Sequence, residues 1–412
     1  MDDDDDDDEQ EIISTLESCP DYFRWIHEDL KPWKTKGITK EMVEAGKSTA
    51  HFRLVILDGR IYVEKYKRAY QTRDVTTIWG FLQLLRLYPG KLPDLDLMFN
   101  CDDKPVIKKS DYEAAVNPNP NPIPMFHYCG DDEHLDIPFP DWSFWGWHEV
   151  NIKPWELQLE EIKKGNENVK WVDRLPNAYW KGNLQTGNRI YLNKCNSSRK
   201  WNTEIYEQHW ALEVKHGFRE SNIADQCNYR YKIYMEGKAW STSEKYIQAC
   251  DSMLLLVQPR YYEFFTRGLL PLTHYWPINP SKLCESLKFA VKWGNKNPNK
   301  AQEIAKSGNK FIMEELKMKN VYDYMFHLLN EYGKLLNYKP NVPPGAVEVC
   351  SETMACKALG KEKQWKINSL VKAPSQTSPC KIPPAYNPHR LQTFLSTKQE
   401  ILMDIEGLAR IG

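Results

Sequence analysis

The sequence predicts an α/β protein of two lobes facing a cleft, and three observations carry that prediction. The chain has 412 residues, more than one ordinary core holds and enough for two. In residues 230–258, RYKIYMEGKAWSTSEKYIQACDSMLLLVQ, the hydrophobic period changes twice. Tyr231, Ile233 and Met235 alternate with polar residues, a Gly-Lys-Ala-Trp turn follows, Ser243 to Ala249 fits one short helix, and Met253 to Val257 is an apolar run of buried-strand type. This is strand, turn, helix, strand, an arrangement that places a ligand at the carboxyl end of its first strand. Further upstream, Leu95 to Phe99 forms a strand with the loop Asn100 to Asp103 at its carboxyl end, where α/β proteins place chemistry.

Composition narrows the class. A net charge of -1 excludes a general nucleic-acid binder, whose affinity rests on neutralised phosphates. No run of eighteen apolar residues is present, so no membrane span is expected. The start is not a signal peptide: Asp2 to Asp8 and Glu9 make a solvated acidic run, expected as a disordered tail over residues 1–18. Fifteen tryptophans suit stacking on sugars or bases as well as ordinary core packing. Ten scattered cysteines with no CxxC give neither a scaffold nor a connectivity.

In chain order, Cys19 to Trp33 opens the folded part with a helical pattern that Pro32 stops. Residues 51–66 are two strands around Asp58-Gly59, a hairpin signal. Thr77 to Tyr88 is an amphipathic helix closed by Pro89-Gly90, and the strand at Leu95 follows. Asp102 and Asp103 at its far end can take a proton from a hydroxyl if burial raises their basicity, or can serve as turn residues. Asp94-Leu95-Asp96 imitates a metal-holding DxD but lies at the wrong end of that strand for a cleft ligand. After the punctuation of NPNPNPIP, 117–124, a strand resumes at Met125 to Tyr128; His127, Cys129 and His134 match no zinc spacing. Residues 139–155, FPDWSFWGWHEVNIKPW, are either a packed lobe interface or an aromatic wall for a ligand, and the helix beyond Trp155 leads into the second lobe.

The second lobe begins with a strand and a two-glycine loop in NAYWKGNLQTGNRIYLNKCNSSRK, 177–200, which holds five cations and no carboxylate. That local excess suits a pyrophosphate, with arginine able to bridge two oxygens. Asn196-Ser197-Ser198 is a glycosylation sequon. In 230–258, Gly237 permits close backbone approach, and the hydroxyls at 241–243 are expected to cap the helix and leave amide donors facing an anion. Helices over 281–293, 299–318 and 321–336 flank the lobe, and beyond Pro340 the composition turns to that of an extended surface tail.

Six blocks, taken together and in order, resemble glycosyltransferase family 90, most closely its plant members. They are LPDLDLMFNCDD, FPDWSFWGW, NAYWKGNLQTGNR, CNYRYKIYMEGKAWSTSEKYIQACDSMLLLV, EIAKSGNKFIMEELKM and YDYMFHLLNEYGKLL. The resemblance implies a GT-B fold of two Rossmann-like lobes, with an acceptor lobe at 19–155, a donor lobe at 156–320, a crossing helix at 321–340 and an extended tail at 341–412. It implies inverting transfer of glucose or xylose from UDP-glucose or UDP-xylose to a protein or glycan hydroxyl, without an essential metal or other cofactor. By position in the family's motifs, Asp103 is the implied catalytic base. Asn183 and Arg189 are the implied donor contacts, with Lys238, Ala239, Trp240, Ser241, Thr242 and Ser243 as the loop around UDP. Cys227 and Cys250 match a family disulfide, and the secretory-pathway lumen is the implied location. Two departures stand out. Ser243 replaces an arginine of the animal enzymes, leaving Lys245 or Arg189 to balance the pyrophosphate; Lys67 and Arg73 replace the cysteines of their acceptor loop. With no targeting or retention signal in view, a truncated or spliced form is expected, and the alternative activity is sugar-nucleotide binding with weak or no turnover.

Overall fold

The computed structural model describes residues 17–113 and 121–411, so the acidic run and Asn117 to Pro120 of the Pro-rich stretch lie outside the described residues. The hairpin forms where expected, with β1 (Phe52–Leu57) and β2 (Arg60–Lys65) joined by two residues. Asp58 and Gly59 take φ of 50° and 71°, the left-handed pair that lets a two-residue turn follow the strand twist. Helix α1 (Arg73–Leu87) starts four residues before its amphipathic pattern does, and β3 (Leu95–Phe99) follows. The first lobe is completed by β4 (Met125–His127) and β5 (Ile137–Pro138), parallel to β3.

Helix α2 (Trp155–Asn168) then leads into a second sheet of β6 (Leu175–Gly182), β7 (Thr203–Glu207), β8 (Tyr229–Tyr234), β9 (Met253–Val257) and β10 (Trp276–Ile278), with α3 (Ser243–Ala249) between β8 and β9. All its strands are parallel and ordered β10-β9-β8-β6-β7. Strand order therefore reverses between β6 and β8, and the crevice beyond their carboxyl ends is where a doubly wound sheet binds ligands. Two helices pack behind it, α4 (Leu283–Lys296) and α5 (Pro298–Lys310), the second ending in a π-turn at Phe311–Glu315, and α6 (Met318–Gly333) follows.

Helix α6 returns to the first lobe, where Tyr332 Oη donates to the Asp96 carbonyl at 3.0 Å. Asp96 itself is fully buried and grips Arg53 through two bonds of 2.7 and 2.6 Å, while Asp94 accepts from the Asp58 amide at 3.0 Å. The DxD-like pair is thus consumed by the fold, its two carboxylates holding β1 and the hairpin turn.

The described part of the segment expected as an extended tail, 341–411, runs over the surface but carries structure of its own. Strand β11 (Val347–Val349) adds to the first sheet beside β2, and α7 (Ser351–Lys357), α8 (Gly360–Asn368) and α9 (Pro388–Ile411) follow. A disulfide from Cys380 to Cys19 ties this segment to the start of the fold, and Cys195–Cys284 closes a second long loop. Cys227–Cys250 pairs as the resemblance implied. Among the described residues no helix is long and apolar enough to cross a membrane.

Candidate active site

A cavity of about 900 Å³ lies between the lobes and draws its walls from both. On the first-lobe side Asn100 shapes the loop after β3: it is fully buried, its Nδ2 donates to the Thr49 carbonyl at 2.8 Å, and its Oδ1 accepts from the Asp102 amide at 2.7 Å. That turn separates the two candidate carboxylates. Asp102 points outward with a side chain 61% exposed, 3.7 Å from His51, whereas Asp103 lines the cavity. Asp103 is not buried as the base reading supposed. Its side chain is 37% exposed because the loop ends at the cavity rim, and Arg73 Nη1 pairs with its Oδ1 at 3.0 Å.

On the second-lobe side, the loops after β6 and β8 meet at the crevice. Asn183 follows β6 directly and turns the chain by accepting from the Gln185 amide at 2.8 Å. Gly187, at φ 61°, lies so close to the other loop that a Cβ would stand 1.9 Å from the Gly237 carbonyl oxygen. Only glycine fits there. Arg189 then spans the gap, its Nε donating to the carbonyls of Met235 and Glu236 at 3.2 and 3.1 Å, with the guanidinium 5.7 Å from the Trp180 ring. Burial lowers its pKa from the usual value, but an arginine keeps its charge, and its terminal nitrogens make no hydrogen bond among the described residues.

The 238–243 loop completes the wall. Lys238 is exposed at the rim, and Trp240, Ser241, Thr242 and Ser243 all line the cavity. Ala239 does not: it is 1% exposed and packs into the core. The expected helix cap is absent, because Thr242 already has helical backbone angles, φ -54° and ψ -12°, and its side chain makes no cap bond. The hydroxyls of Ser241 and Ser243 instead sit 2.9 Å apart, and the Ser241 amide donates to Tyr234 Oη at 3.0 Å. Two nearby carboxylates are muted by their surroundings. Burial pushes Glu236 up to about 7, and burial, then the Glu236 charge, pushes Glu244 up to about 8.

Residues 14–408 match the model of Glycosyl transferase family 90. The chain belongs to that family. Among similar proteins, "O-glucosyltransferase rumi homolog" of Aedes aegypti is 27% identical over 346 residues, covering 81% of this chain and 82% of that protein. "O-glucosyltransferase rumi" of Drosophila melanogaster is 27% identical, with 78% of each chain covered. "Protein O-glucosyltransferase 1" of Homo sapiens is 28% identical, covering 78% of this chain and 82% of that one. This family 90 chain is thus a glycosyltransferase, built as an α/β protein with its cavity between two lobes.

Three features of this family 90 site had no sequence reading, or a different one. Lys245, expected as a pyrophosphate partner, is already paired: its Nζ bonds Asp141 Oδ2 at 2.9 Å and neither side chain is exposed, so the pair ties α3 to the first lobe. Lys232, on β8, lines the cavity at 2% exposure with no carboxylate partner among the described residues, and burial, aided by Arg174, lowers its pKa to about 7. Arg73, the first residue of α1, reaches into the cavity wall. The aromatic run divides its labour: Trp145 and Trp155 are core, while Trp142 and Trp147 line the cavity. His127 is turned to the Cys129 backbone and His134 to Asp131, at 3.1 and 2.6 Å, so the two imidazoles serve separate partners. The sequon side chain is also engaged, Asn196 exchanging two bonds with the backbone of Ile205 at 2.9 and 3.0 Å.

Proposed function

We propose that the chain transfers glucose or xylose from a UDP-sugar to a hydroxyl of a protein or glycan acceptor, with inversion and without a metal. One observation carries this reading: Asp103 from the first lobe shares a cavity with Arg189, Ser241 and Ser243 from the second, at the carboxyl ends of β3, β6 and β8. Asp103 takes the acceptor hydroxyl proton as the oxygen bonds to the anomeric carbon. The carbon–oxygen bond to UDP breaks on the opposite face, so the configuration inverts. Negative charge gathering on UDP meets the free nitrogens of Arg189 and the paired serine hydroxyls. Helix α3, only seven residues long, contributes orientation more than dipole. Asn183 and Lys238 hold the donor at its edges. Three disulfides among the described residues support an oxidising compartment, the secretory lumen, as the place of work.

The glucosyl branch is favoured by relatives named as O-glucosyltransferases; the xylosyl branch differs by one hydroxymethyl group. Donor profiling with purified protein decides between them. For the mechanism, Asp103→Asn is expected to lower kcat at least 100-fold, the scale of general-base loss, while UDP binding by calorimetry is unchanged. Full transfer by that folded variant would remove Asp103 as the base. Activity undiminished in EDTA is expected, and a loss restored by a divalent cation would overturn the metal-free reading.

A further inference from the structure

The Asp103 carboxylate has one side-chain partner among the described residues, and that partner is itself fixed from several directions. Arg73 is 7% exposed. Its carbonyl accepts from Thr77 Oγ1 at 2.8 Å and from Tyr128 Oη at 3.3 Å, which pins the backbone at the start of α1. Its guanidinium lies 4.3 Å from the Trp142 ring centroid and 5.2 Å from that of Tyr70, so two aromatic faces restrict its plane. Nη1 donates both to the Cys101 carbonyl at 3.2 Å and to Asp103 Oδ1 at 3.0 Å, joining the carboxylate to the backbone of its own loop. Nε is buried with no partner among the described residues, so the side chain is spent on stacking and on this one shared nitrogen.

We propose that Arg73 is the positioning residue of the transfer reaction, holding the Asp103 carboxylate so that Oδ2, which has no partner among the described residues, is presented to the acceptor hydroxyl. This rests on the reading of Asp103 as base. A loop carboxylate that is 37% exposed samples several rotamers unless something restrains it. Arg73 restrains one oxygen and leaves the other to react. A point-charge ammonium lacks the flat stacking surface and the fork of donors, so lysine is not an equivalent.

The test compares Arg73→Met, Arg73→Lys and Arg73→Ala with Asp103→Asn, measuring kcat and KM for both substrates and UDP affinity by calorimetry. Misplacing a catalytic group by about 1 Å costs on the order of 100-fold, so Arg73→Met is expected to lose 10- to 100-fold in kcat with UDP affinity unchanged. Arg73→Lys should fall between it and the parent. Added guanidinium should restore part of the activity of Arg73→Ala and none of that of Asp103→Asn, a response that a merely structural residue would not give. Adding Arg73→Met to Asp103→Asn should cost little more. Should the methionine variant prove unfolded, the lysine variant and guanidinium rescue still decide. The proposal is overturned if folded Arg73→Met or Arg73→Lys keeps parental kcat, or if guanidinium restores nothing. An active Asp103→Asn would instead overturn the base reading itself.

Discussion

Replacing Asp141 by alanine tests whether the two lobes are held in register by one buried ion pair. Asp141 Oδ2 meets Lys245 Nζ at 2.9 Å, its Oδ1 accepts from the Ser143 amide at 2.7 Å, and both charged side chains are 0% exposed. Burial alone would lower the Lys245 pKa, but the attraction of Asp141 outweighs it and the value is raised. A lysine raised in the fold contributes stability that is full below its unfolded pKa and is lost only as pH rises through the folded value. In the variant the orphaned amine loses the partner that held its proton, as buried Lys232 lacks one, so the effect of the substitution should be largest at pH 6 and shrink as pH rises through 8. Asp141→Ala leaves an uncompensated ammonium in the interior, a loss of about 3–5 kcal/mol. With an unfolding entropy of about 2.1 cal/mol/K per residue over the whole chain, that corresponds to a fall in Tm of roughly 3–6 °C. Adding Lys245→Met removes the orphaned charge and should recover most of the loss, because the pair's net contribution is far smaller than the cost of breaking it. Thermal melts followed by circular dichroism read both effects. A shift below about 1 °C for the single variant, or a double variant no better than the single, would refute the compensation argument.

Two further outcomes follow from the same chemistry. Lys232 has a folded pKa of about 7, below its unfolded value, so its penalty is full below pH 7 and fades as pH rises toward the ordinary lysine range. Lys232→Met should raise Tm clearly at pH 6 and much less at pH 9.5; equal gains at both would contradict the buried-amine account. Replacing Cys195 and Cys284 together by serine opens a loop of 89 residues and should cost about 4–5 kcal/mol by chain entropy, seen as a lower urea midpoint with catalysis retained below it.

The sequence revealed most where structure is set within a few residues. The Asp58-Gly59 turn, the strand at Leu95 and the helix at Ser243 need only local pattern, and their bounds come out as read. Cys19 and Cys380 illustrate the opposite limit, for their union depends on where a surface segment ends after crossing the whole fold. Arg73 fails for a third reason. It precedes the amphipathic pattern that begins at Thr77, and the Tyr70 and Trp142 rings that stack on its guanidinium are brought together only by the fold.

Lys232 was legible in principle. It occupies the polar phase of an alternating strand, the pattern of a sheet with one wet face. Yet β8 is the middle strand of an all-parallel sheet, between β6 and β9, and such a sheet is covered by helices on both faces. No wet face exists for the polar phase to meet. A lysine there must find either a carboxylate or a cavity, and the cations of 177–200 already showed that no carboxylate was near on the neighbouring strand. Combining the parallel topology implied by the strand–helix–strand order with that composition would have placed Lys232 against the ligand cavity, where it stands.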